Sequence, residues 1–458
     1  MKFPKITLPQ KPTHIKCASD IGFFTLFQKI DQKFENCFLF ESLGEHSHTS
    51  RYSIIGFDPQ HIFSGKKNTL TIDKKSYKVK NPYYELRQII PQNIISSNYA
   101  GGLVGYLSYD AVNYFEPSLN LTTHQNFDQF KFGLYTDGLV LDKMTGEVSY
   151  FYYEKNRFKL VQQLLKSKVE KEPTLKATFL KNNLTKTEHR KGVQKIKQEI
   201  KKGNTFQCQL GLKSYYHLEG NCLQIYKKLR EINPSPYMYY LIFDNQQLLG
   251  ASPELLFKLQ DEEMETYPLA GTINRSKTDL EDTQLARQLL SDPKERAEHN
   301  MLIDLHRNDI GRVAEFNSVR VRRLMEIKKF SHVQHISSEI VGKLKNGEDM
   351  FSALASNFPA GTLSGAPKIE SLKIIDANEP EARGPYGGAV GFFGLNGDCT
   401  FTIPIRSLFV SDESAFAQTS GGIVYDSKPE NEYQEIERKL AAMQKVLNKF
   451  TPKAEKII

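Results

Sequence analysis

The chain has 458 residues, of which 39% are hydrophobic and 25% are charged, and its formal net charge is +8. This length and an ordinary globular composition allow either two domains or one elaborate domain. No apolar run is long enough to span a bilayer, and residues 1–14 lack the apolar core and cleavage site of a secretory signal. We therefore expect a cytoplasmic protein without membrane contact.

Neither the lysines nor the cysteines form a motif that binds a macromolecule or a metal. The lysines are spread over predicted loops and over residues 155–202, with no aromatic–basic module and no compact basic helix. We therefore expect no nucleic-acid partner. The cysteines form no CxxC pair and lack zinc-ligand spacing with histidine, so we expect reduced structural thiols at Cys17, Cys37, Cys208, Cys222 and Cys399.

The N-terminal third is rich in short runs of β-type composition. These runs are bounded by turn residues and have the sequences CFLFES, RYSIIGF, FKFGLYTDGLVLD and GEVSYFYYE. The segment GGLVGY at 101–106 lacks the helix and downstream acid of a dinucleotide-binding motif. Its glycines instead predict close approach between neighbouring strand backbones.

The remainder of the chain alternates predicted helices and strands. A capping box of Thr185 and Glu188 begins a helix that Gly203 ends. Further predicted elements are a hairpin of YMYYLIF and QQLLGAS, consecutive helices in EDTQLARQLLSD and PKERAEHNMLIDLHRND, and a last helix at 430–448. The strands are too many and too clustered for a simple parallel βαβ array, so an α+β architecture with large antiparallel sheets is predicted.

Two pairs of glutamates have the spacing of neighbours on one helix face. Glu295 and Glu298 lie three residues apart in one predicted helix, and Glu432 and Glu435 do so in another. Such pairs repel slightly, which a solvated surface tolerates and a divalent cation between the helices would offset. On composition alone the solvated surface is the better interpretation, although Mg²⁺ needs only one or two carboxylates besides water and substrate oxygens. Lys439 would balance this charge or hold a substrate carboxylate.

The C-terminal half contains five glycine-flanked polar segments. Their glycines allow backbone N–H groups to approach an anion, although each segment alone could be a simple turn. GTLSGAPK does not have the spacing of a phosphate-binding loop. The five segments are GASPE at 250–254, PLAGT at 268–272, PAGTLSGAPK at 359–368, PYGG at 385–388 and GGIV at 421–424.

In their order along the chain, these segments resemble the motifs of the chorismate-binding enzymes. The matching stretches are PLAGT, EHNMLIDLHRND, FPAGTLSGAPK, GPYGGAVG, IPIRS and GGIVYDSKPENEYQEIERK. LFES, RYSIIGFDP and GGLVGYLSYDAV resemble the companion region of the anthranilate synthase large subunit, component I. The resemblance implies an anthranilate/aminodeoxychorismate synthase-type fold with large antiparallel sheets sandwiched by helices. It also implies three segments: an N-terminal region at 1–153, a basic helix and linker at 154–186, and a chorismate-binding catalytic region at 187–450.

The resemblance implies metal-binding and catalytic residues. In the family, glutamates of two helices hold Mg²⁺, here Glu298, Glu432 and Glu435, and the cation would orient the ring carboxylate of chorismate. Glu254 matches the general acid that protonates the departing C4 hydroxyl, a task that needs a raised pKa in a closed site. His335 matches a histidine that assists elimination, whereas a lone histidine is otherwise a satisfied core residue. For Glu295 we expect a salt-bridging surface role, and for His332 a structural one.

The resemblance also assigns substrate contacts. Arginine suits a substrate carboxylate because its planar fork binds bidentately. Thr419-Ser420-Gly421 departs from the alanine-glycine-alanine that is usual in the family. The implied contacts are Gly271 and Thr272 at the ring, Tyr386 and Arg406 at the enolpyruvyl carboxylate, the backbone of Ser420, Gly421 and Gly422 at the same group, and Lys439.

Two positions distinguish members of the family from one another. Isochorismate and salicylate synthases activate water with a lysine where this chain has Gln207, and an amide cannot act as a base at neutral pH. We therefore expect ammonia as the nucleophile and count Gln207 among the catalytic residues. Aminodeoxychorismate synthases commonly carry a lysine at the position of Ala270 in this chain. The alanine resembles the residue found in anthranilate synthases.

Two further motifs resemble the halves of a tryptophan feedback pocket. They are FES at 40–42 and NPSPYM at 233–238, with Glu41, Ser42, Pro236, Tyr237 and Met238 as the expected effector contacts. Sheet core is the alternative for Tyr237 and Met238, because the strand is strongly apolar. The occurrence of both motifs favours effector binding.

The resemblance thus implies a reaction and a partner. Mg²⁺-dependent amination of chorismate at C2 with loss of the C4 hydroxyl, followed by pyruvate elimination, would give anthranilate in the first step of tryptophan biosynthesis. The alternative is aminodeoxychorismate synthase component I of the folate pathway. Because no nucleophilic-cysteine glutaminase segment is present, we expect a separate glutamine amidotransferase subunit to supply ammonia within a hetero-oligomer.

Overall fold

Two large antiparallel sheets dominate the structure, a computed structural model that describes residues 3–4, 6–17, 22–43, 51–96, 98–330 and 333–452. Each sheet has 12 strands, and ten α-helices accompany them within these ranges. The predicted α+β architecture with antiparallel sheets is therefore confirmed. Among the helices described, none combines the length and the apolar character needed to cross a membrane.

Most of the strands have four to seven residues, and strands occur along the whole length of the chain. In chain order they are β1 (Thr13–Lys16), β2 (Asn36–Glu41), β3 (Tyr52–Phe57), β4 (His61–Lys66), β5 (Thr69–Ile72), β6 (Lys75–Lys78), β7 (Gly102–Leu107), β8 (Phe130–Tyr135), β9 (Asp137–Asp142), β10 (Glu147–Tyr152), β11 (Lys176–Asn182), β12 (Gln207–Glu219), β13 (Tyr237–Phe243), β14 (Gln246–Ser252), β15 (Leu255–Gln260), β16 (Glu263–Thr266), β17 (Leu269–Asn274), β18 (Arg320–Lys329), β19 (Val333–Lys343), β20 (Gly365–Ala366), β21 (Ala389–Gly394), β22 (Cys399–Thr402), β23 (Ser407–Ser411) and β24 (Ser414–Ile423).

The helices begin and end close to where the sequence signals place them. The capping box of Thr185 and Glu188 is present, and the helix that follows ends just before Gly203. The helices are α1 (Phe23–Asp31), α2 (Pro82–Ile89), α3 (Phe158–Lys166), α4 (Lys186–Lys201), α5 (Leu223–Ile232), α6 (Asp279–Ser291), α7 (Pro293–Gly311), α8 (Met350–Asn357), α9 (Lys368–Asn378) and α10 (Pro429–Leu447).

Each sheet takes strands from both ends of the chain. Sheet A has the order β1-β10-β9-β3-β2-β13-β14-β23-β24-β12-β11, with β20 paired to β12. Sheet B has the order β17-β19-β16-β15-β22-β21-β7-β8-β4-β5-β6, with β18 paired to β19. The segments 1–153 and 187–450 therefore share both sheets.

Apolar residues fill the space between the two sheets, and others cover the outer face of sheet A. One core cluster joins the two sheets, and a second joins sheet A to α1, α3, α5 and α10. The glycines of β7 permit the predicted close strand approach. A Cβ on Gly102 would lie 2.0 Å from the carbonyl oxygen of Phe393, and one on Gly105 would lie 2.0 Å from that of Lys131. All five cysteines are free, and four of them are buried.

Helices α7 and α10 bring the two glutamate pairs to the same region of the fold. Helix α7 packs on β17 and β19 of sheet B, whereas α10 packs on β24 of sheet A. The loop at 361–363 contacts both α7 and β24. These elements surround the candidate site.

Candidate active site

Glu254 is a buried carboxyl at the point where the chain crosses from sheet A to sheet B. It lies between β14 and β15, and its carbonyl oxygen accepts a hydrogen bond from Thr402 Oγ1 at 2.6 Å. Its Oε1 accepts a hydrogen bond from Thr362 Oγ1 at 3.0 Å. Burial raises the pKa of Glu254 to about 7, opposed by the Thr362 bond and the charge of Arg406. A carboxyl with this pKa can donate a proton near neutral pH.

His335 is held in one tautomer by the backbone of the neighbouring strand. Its Nδ1 lies 2.8 Å from the carbonyl oxygen of Gly271, which can only accept, so Nδ1 carries the proton. Burial lowers the pKa of His335 to about 4, which leaves the imidazole neutral with a lone pair on Nε2. Strand β17 bulges between Ala270 and Ile273, and Gly271 has φ +62°, a conformation that favours glycine. Thr272 Oγ1 lies 3.1 Å from the same nitrogen.

Tyr386 contacts β24, whereas the Arg406 charge acts on Glu254 and His335. The Tyr386 hydroxyl lies 2.9 Å from Ser420 Oγ, and both residues are buried. Burial lowers the pKa of Arg406, opposed by Glu254, but a guanidinium stays protonated at neutral pH. The Arg406 guanidinium is only partly exposed, and its positive charge favours an anionic ligand.

The candidate metal-binding glutamates face one another from α7 and α10. Burial raises the pKa of Glu298, and the nearby charges of Glu295 and Glu435 raise it further. Burial and Glu435 likewise raise the pKa of Glu432. Lys439 offsets part of this charge, with its Nζ 2.7 Å from Glu435 Oε1 and 3.1 Å from the carbonyl oxygen of Ser420.

The carboxylates of α7 and α10 suit a cation that takes its remaining ligands from water and substrate. Within the described residues, no three His, Cys, Asp or Glu side chains converge closely enough to hold a metal ion. Mg²⁺ is satisfied by one or two carboxylates, with water and substrate oxygens completing its octahedron. Burial, followed by neighbouring carboxylates, raises the pKa of Glu298 and Glu432, and a bound cation would favour the ionised form of both. The residues therefore fit Mg²⁺ bound together with an anionic substrate.

Glu295 is not the salt-bridging surface residue that we expected. Its side chain is half-buried, and it takes part in no ion pair in the part of the chain that is described. A Cβ on Gly271 would lie 2.9 Å from Glu295 Oε2, so the carboxylate faces the backbone of the candidate ring-binding segment. The expectation was wrong because α7 turns this face toward β17 rather than toward solvent. His332 lies outside the described residues.

Gln207 begins β12 next to the glycines of β24. Cys208 pairs with Ile423 in the register of the two strands, and Gln209 pairs with Gly422. The Gln207 side chain is 5% exposed. Its Oε1 has no hydrogen-bond partner among the residues described. A buried acceptor is thus available beside the site.

The structure adds two side chains that we did not predict, Thr362 and Gln209. Thr362 lies within the quoted segment PAGTLSGAPK, but only the long-range fold brings it to Glu254. Gln209 follows Gln207 at the two-residue spacing of one strand face, and that alternation would have identified it.

One cavity, whose lining includes neither Glu254 nor His335, contains all five predicted effector residues. Its volume is about 230 Å³, and its lining includes Glu41, Ser42, Pro236, Tyr237 and Met238. The two motifs meet because β2 pairs with β13, with Glu41 opposite Met238.

One end of this cavity is polar. Arg230 Nε donates to Glu41 Oε1 at 2.5 Å, and the Tyr226 hydroxyl donates to the same oxygen at 2.8 Å. Ser42 Oγ is buried without a hydrogen-bond partner in the described ranges. The cavity therefore suits a small ligand that has both polar and apolar parts.

Comparisons with known proteins agree with the sequence motifs. A family model described as chorismate binding enzyme matches residues 35–445. The chain is 54% identical over 452 residues to anthranilate synthase component 1 of Leptospira biflexa, covering 97% of this chain and 98% of that protein. It is 36% identical over 450 residues to aminodeoxychorismate synthase component 1 of Bacillus subtilis (strain 168), covering 93% and 94%. The crystal structure of anthranilate synthase component I from Streptococcus pneumoniae TIGR4 has a TM-score of 0.79 and 32% identity, covering 87% of this chain and 93% of that chain.

Proposed function

The chain belongs to the chorismate-binding enzymes, and on that premise we propose that it makes anthranilate from chorismate and ammonia. The observation that carries the proposal is the buried carboxamide of Gln207 with its unpartnered oxygen. An amide is not a base, so it suits a nucleophile that needs no deprotonation before it attacks. The 54% identical anthranilate synthase component 1 supports the same product.

Chorismate would be held at both of its carboxylates. The enolpyruvyl carboxylate would be bound by Arg406, Tyr386 and the backbone at 420–422, and the ring would lie against Gly271 and Thr272. One or two of the carboxylates of Glu298, Glu432 and Glu435 would hold Mg²⁺ together with water and oxygens of the ring carboxylate. Lys439 would lie beside a substrate carboxylate. When bound, Mg²⁺ supplies positive charge that neutralises and orients the ring carboxylate.

In the first half-reaction, ammonia would replace the C4 hydroxyl by attack at C2. The C2–N bond forms, the two ring double bonds shift by one position, and the C4–O bond breaks. Glu254 donates a proton to the departing hydroxyl, which leaves as water, and the new ammonium group loses one proton in return. The pKa of about 7 keeps a fraction of Glu254 protonated for this step.

In the second half-reaction, pyruvate elimination would make the ring aromatic. The proton at C2 is removed, the C3–O bond breaks, and the enolpyruvyl group takes up a proton to leave as pyruvate. His335 is neutral at pH 7 and presents the lone pair of Nε2, so it can accept the C2 proton. Ammonia would come from a separate glutamine amidotransferase subunit, which the designation component 1 of the relatives supports.

The cavity that contains Glu41 and Ser42 would bind tryptophan as a feedback inhibitor. We expect Ser42→Phe to abolish this inhibition while sparing turnover, because the new ring fills space next to Glu41. Overpacking typically costs about 1–3 kcal/mol, so the inhibitory tryptophan concentration should rise about 5- to 150-fold. The measurement is initial rate against tryptophan concentration, with Ser76→Phe on the exposed strand β6 as the control. Unchanged inhibition in Ser42→Phe would refute the assignment of the cavity.

Thr362 is expected to tune the proton donor. Its hydroxyl stabilises the ionised form of Glu254, so Thr362→Val should raise the pKa of that carboxyl further. Since the protonated form is the active one, activity is lost as pH rises through this pKa. The alkaline limb of kcat/KM should therefore move up by about one pH unit in Thr362→Val. Thr362→Ser keeps the hydroxyl and should leave the limb in place; a limb that stays fixed in both variants would contradict this role.

Purified protein incubated with chorismate, Mg²⁺ and ammonium tests the proposed product. We expect anthranilate and pyruvate in equal amounts. The second candidate, aminodeoxychorismate synthase, is favoured by the 36% identical relative of that name. Accumulation of an aminated product without pyruvate would favour it and refute anthranilate formation.

A further inference from the structure

Strand β12 places Gln209 next to Gln207 on one face of sheet A. Successive residues of a strand point to opposite faces, so Gln207 and Gln209 share a face that Cys208 and Leu210 do not. Cys208 and Leu210 pack against Val193 of α4 in a separate apolar cluster. The two glutamine side chains therefore point away from α4 and toward the face of sheet A that carries Ser420, whose Oγ lies 2.9 Å from the Tyr386 hydroxyl.

Gly422 makes room for both carboxamides. A Cβ at this position would lie 2.7 Å from Gln207 Nε2 and 3.2 Å from Gln209 Nε2. Both glutamine side chains are buried, with 5% and 7% exposure. The two amide groups thus lie side by side over the backbone of a residue that we place at the enolpyruvyl carboxylate.

The next residue on this face of β12 is Gly211, so no third side chain from β12 follows the two carboxamides. Gly211 has no side chain, and its backbone N–H donates to Glu379 Oε1 at 2.7 Å. A Cβ on Gly211 would lie 2.8 Å from that same oxygen. The pair of carboxamides is therefore bounded on one side by a buried carboxylate that is already engaged with Arg383.

We infer that Gln209 is a second carboxamide of the nucleophile subsite and holds ammonia together with Gln207. Ammonia attacks through its one lone pair, so its three N–H groups need acceptors that turn the lone pair toward C2. Gln207 Oε1 is a buried acceptor without a partner among the described residues, and a buried acceptor is destabilising until a donor binds to it. A carboxamide can turn its oxygen toward a donor, so Gln209 can provide the second acceptor.

The pair of carboxamides, Gln207 and Gln209, would also disfavour water as the nucleophile. Neither amide can remove a proton, so a water molecule at this position stays a poor nucleophile. Ammonia needs only orientation, which two neutral acceptors supply. The inference rests on the proposed function and adds a residue that determines which nucleophile the site uses.

The test is the KM for ammonia in Gln209→Leu, which keeps the size of the side chain but removes the acceptor. We expect this KM to rise about fivefold, because one hydrogen bond contributes about 1 kcal/mol. The KM for chorismate at saturating ammonia should stay within about twofold, since each substrate has its own contacts. Gln246→Leu is the matched control: Gln246 is a buried glutamine of β14 that bonds to Asn126, and its loss should leave both KM values unchanged.

Each outcome of this experiment decides the inference. An unchanged KM for ammonia in Gln209→Leu, or an equal rise in both KM values, would overturn it. If Gln209→Leu melts before assay temperature, Gln209→Met serves in its place with the same expectation. If the unaltered protein forms no anthranilate from chorismate and ammonium, the proposed function itself is refuted and this inference with it.

Discussion

Glu298→Gln is expected to lose at least about 10³-fold in kcat with chorismate, Mg²⁺ and ammonia. The amide keeps the shape of the side chain but removes the negative charge that a cation requires. Metal-assisted charge stabilisation contributes several kcal/mol, and about 4 kcal/mol corresponds to 10³-fold in rate. Glu435→Gln should behave in the same way, because its carboxylate faces Glu298 from α10.

A measurement without turnover separates metal binding from catalysis. Mg²⁺ that binds only the folded protein should raise the melting temperature of the unaltered chain by about 2 °C at saturating concentration, and it should have no effect on Glu298→Gln. Glu437→Gln changes an exposed glutamate of the same helix α10 and should keep both the activity and the Mg²⁺ response. Full activity in Glu298→Gln would point to a non-catalytic protein that has retained the fold.

Glu254→Gln is expected to lower kcat by about 10²- to 10⁴-fold with little change in the KM for chorismate. An amide cannot give a proton to the departing C4 hydroxyl, and hydroxide is a poor leaving group. The pH dependence provides a second readout. Because burial raises the pKa of Glu254 to about 7, kcat/KM of the unaltered protein should fall as pH rises through this value. In Glu254→Gln this limb should be absent.

Glu339→Gln is the control for the loss of a buried carboxyl. Glu339 is 5% exposed and pairs with Arg322 and Arg323, so its loss should reduce stability. It should nevertheless leave the pH limb of kcat/KM in place. A limb near pH 7 that persists in Glu254→Gln would contradict the role of Glu254 as the proton donor.

The local sequence predicted the elements well because capping and strand signals act over a few residues. The capping box at Thr185 and the last helix at 429–447 are examples. The fold class also followed, because many short β-type runs cannot form a parallel βαβ array. The pairing of the strands could not be predicted from the sequence, because contacts such as Glu41 opposite Met238 join residues that are distant in the chain. No local signal predicts such a register.

The same distinction applies to the site. Glu254 and His335 came from motifs, and the structure now adds the causes of their altered pKa values: burial, Thr362 and the Gly271 carbonyl. Thr362 was missed because its contact with Glu254 spans more than a hundred residues. Glu295 was misassigned because the three-residue spacing of Glu295 and Glu298 on one helix does not reveal which element packs over Glu295. Gln209 was missed although strand alternation pointed to it.

The most direct test of the central claim is a single incubation of the protein with chorismate, Mg²⁺ and ¹⁵N-ammonium, followed by mass spectrometry. We expect ¹⁵N-labelled anthranilate and one equivalent of pyruvate. Unlabelled isochorismate would contradict the assignment of ammonia as the nucleophile. A labelled product that retains its enolpyruvyl group would contradict the assignment of anthranilate as the product.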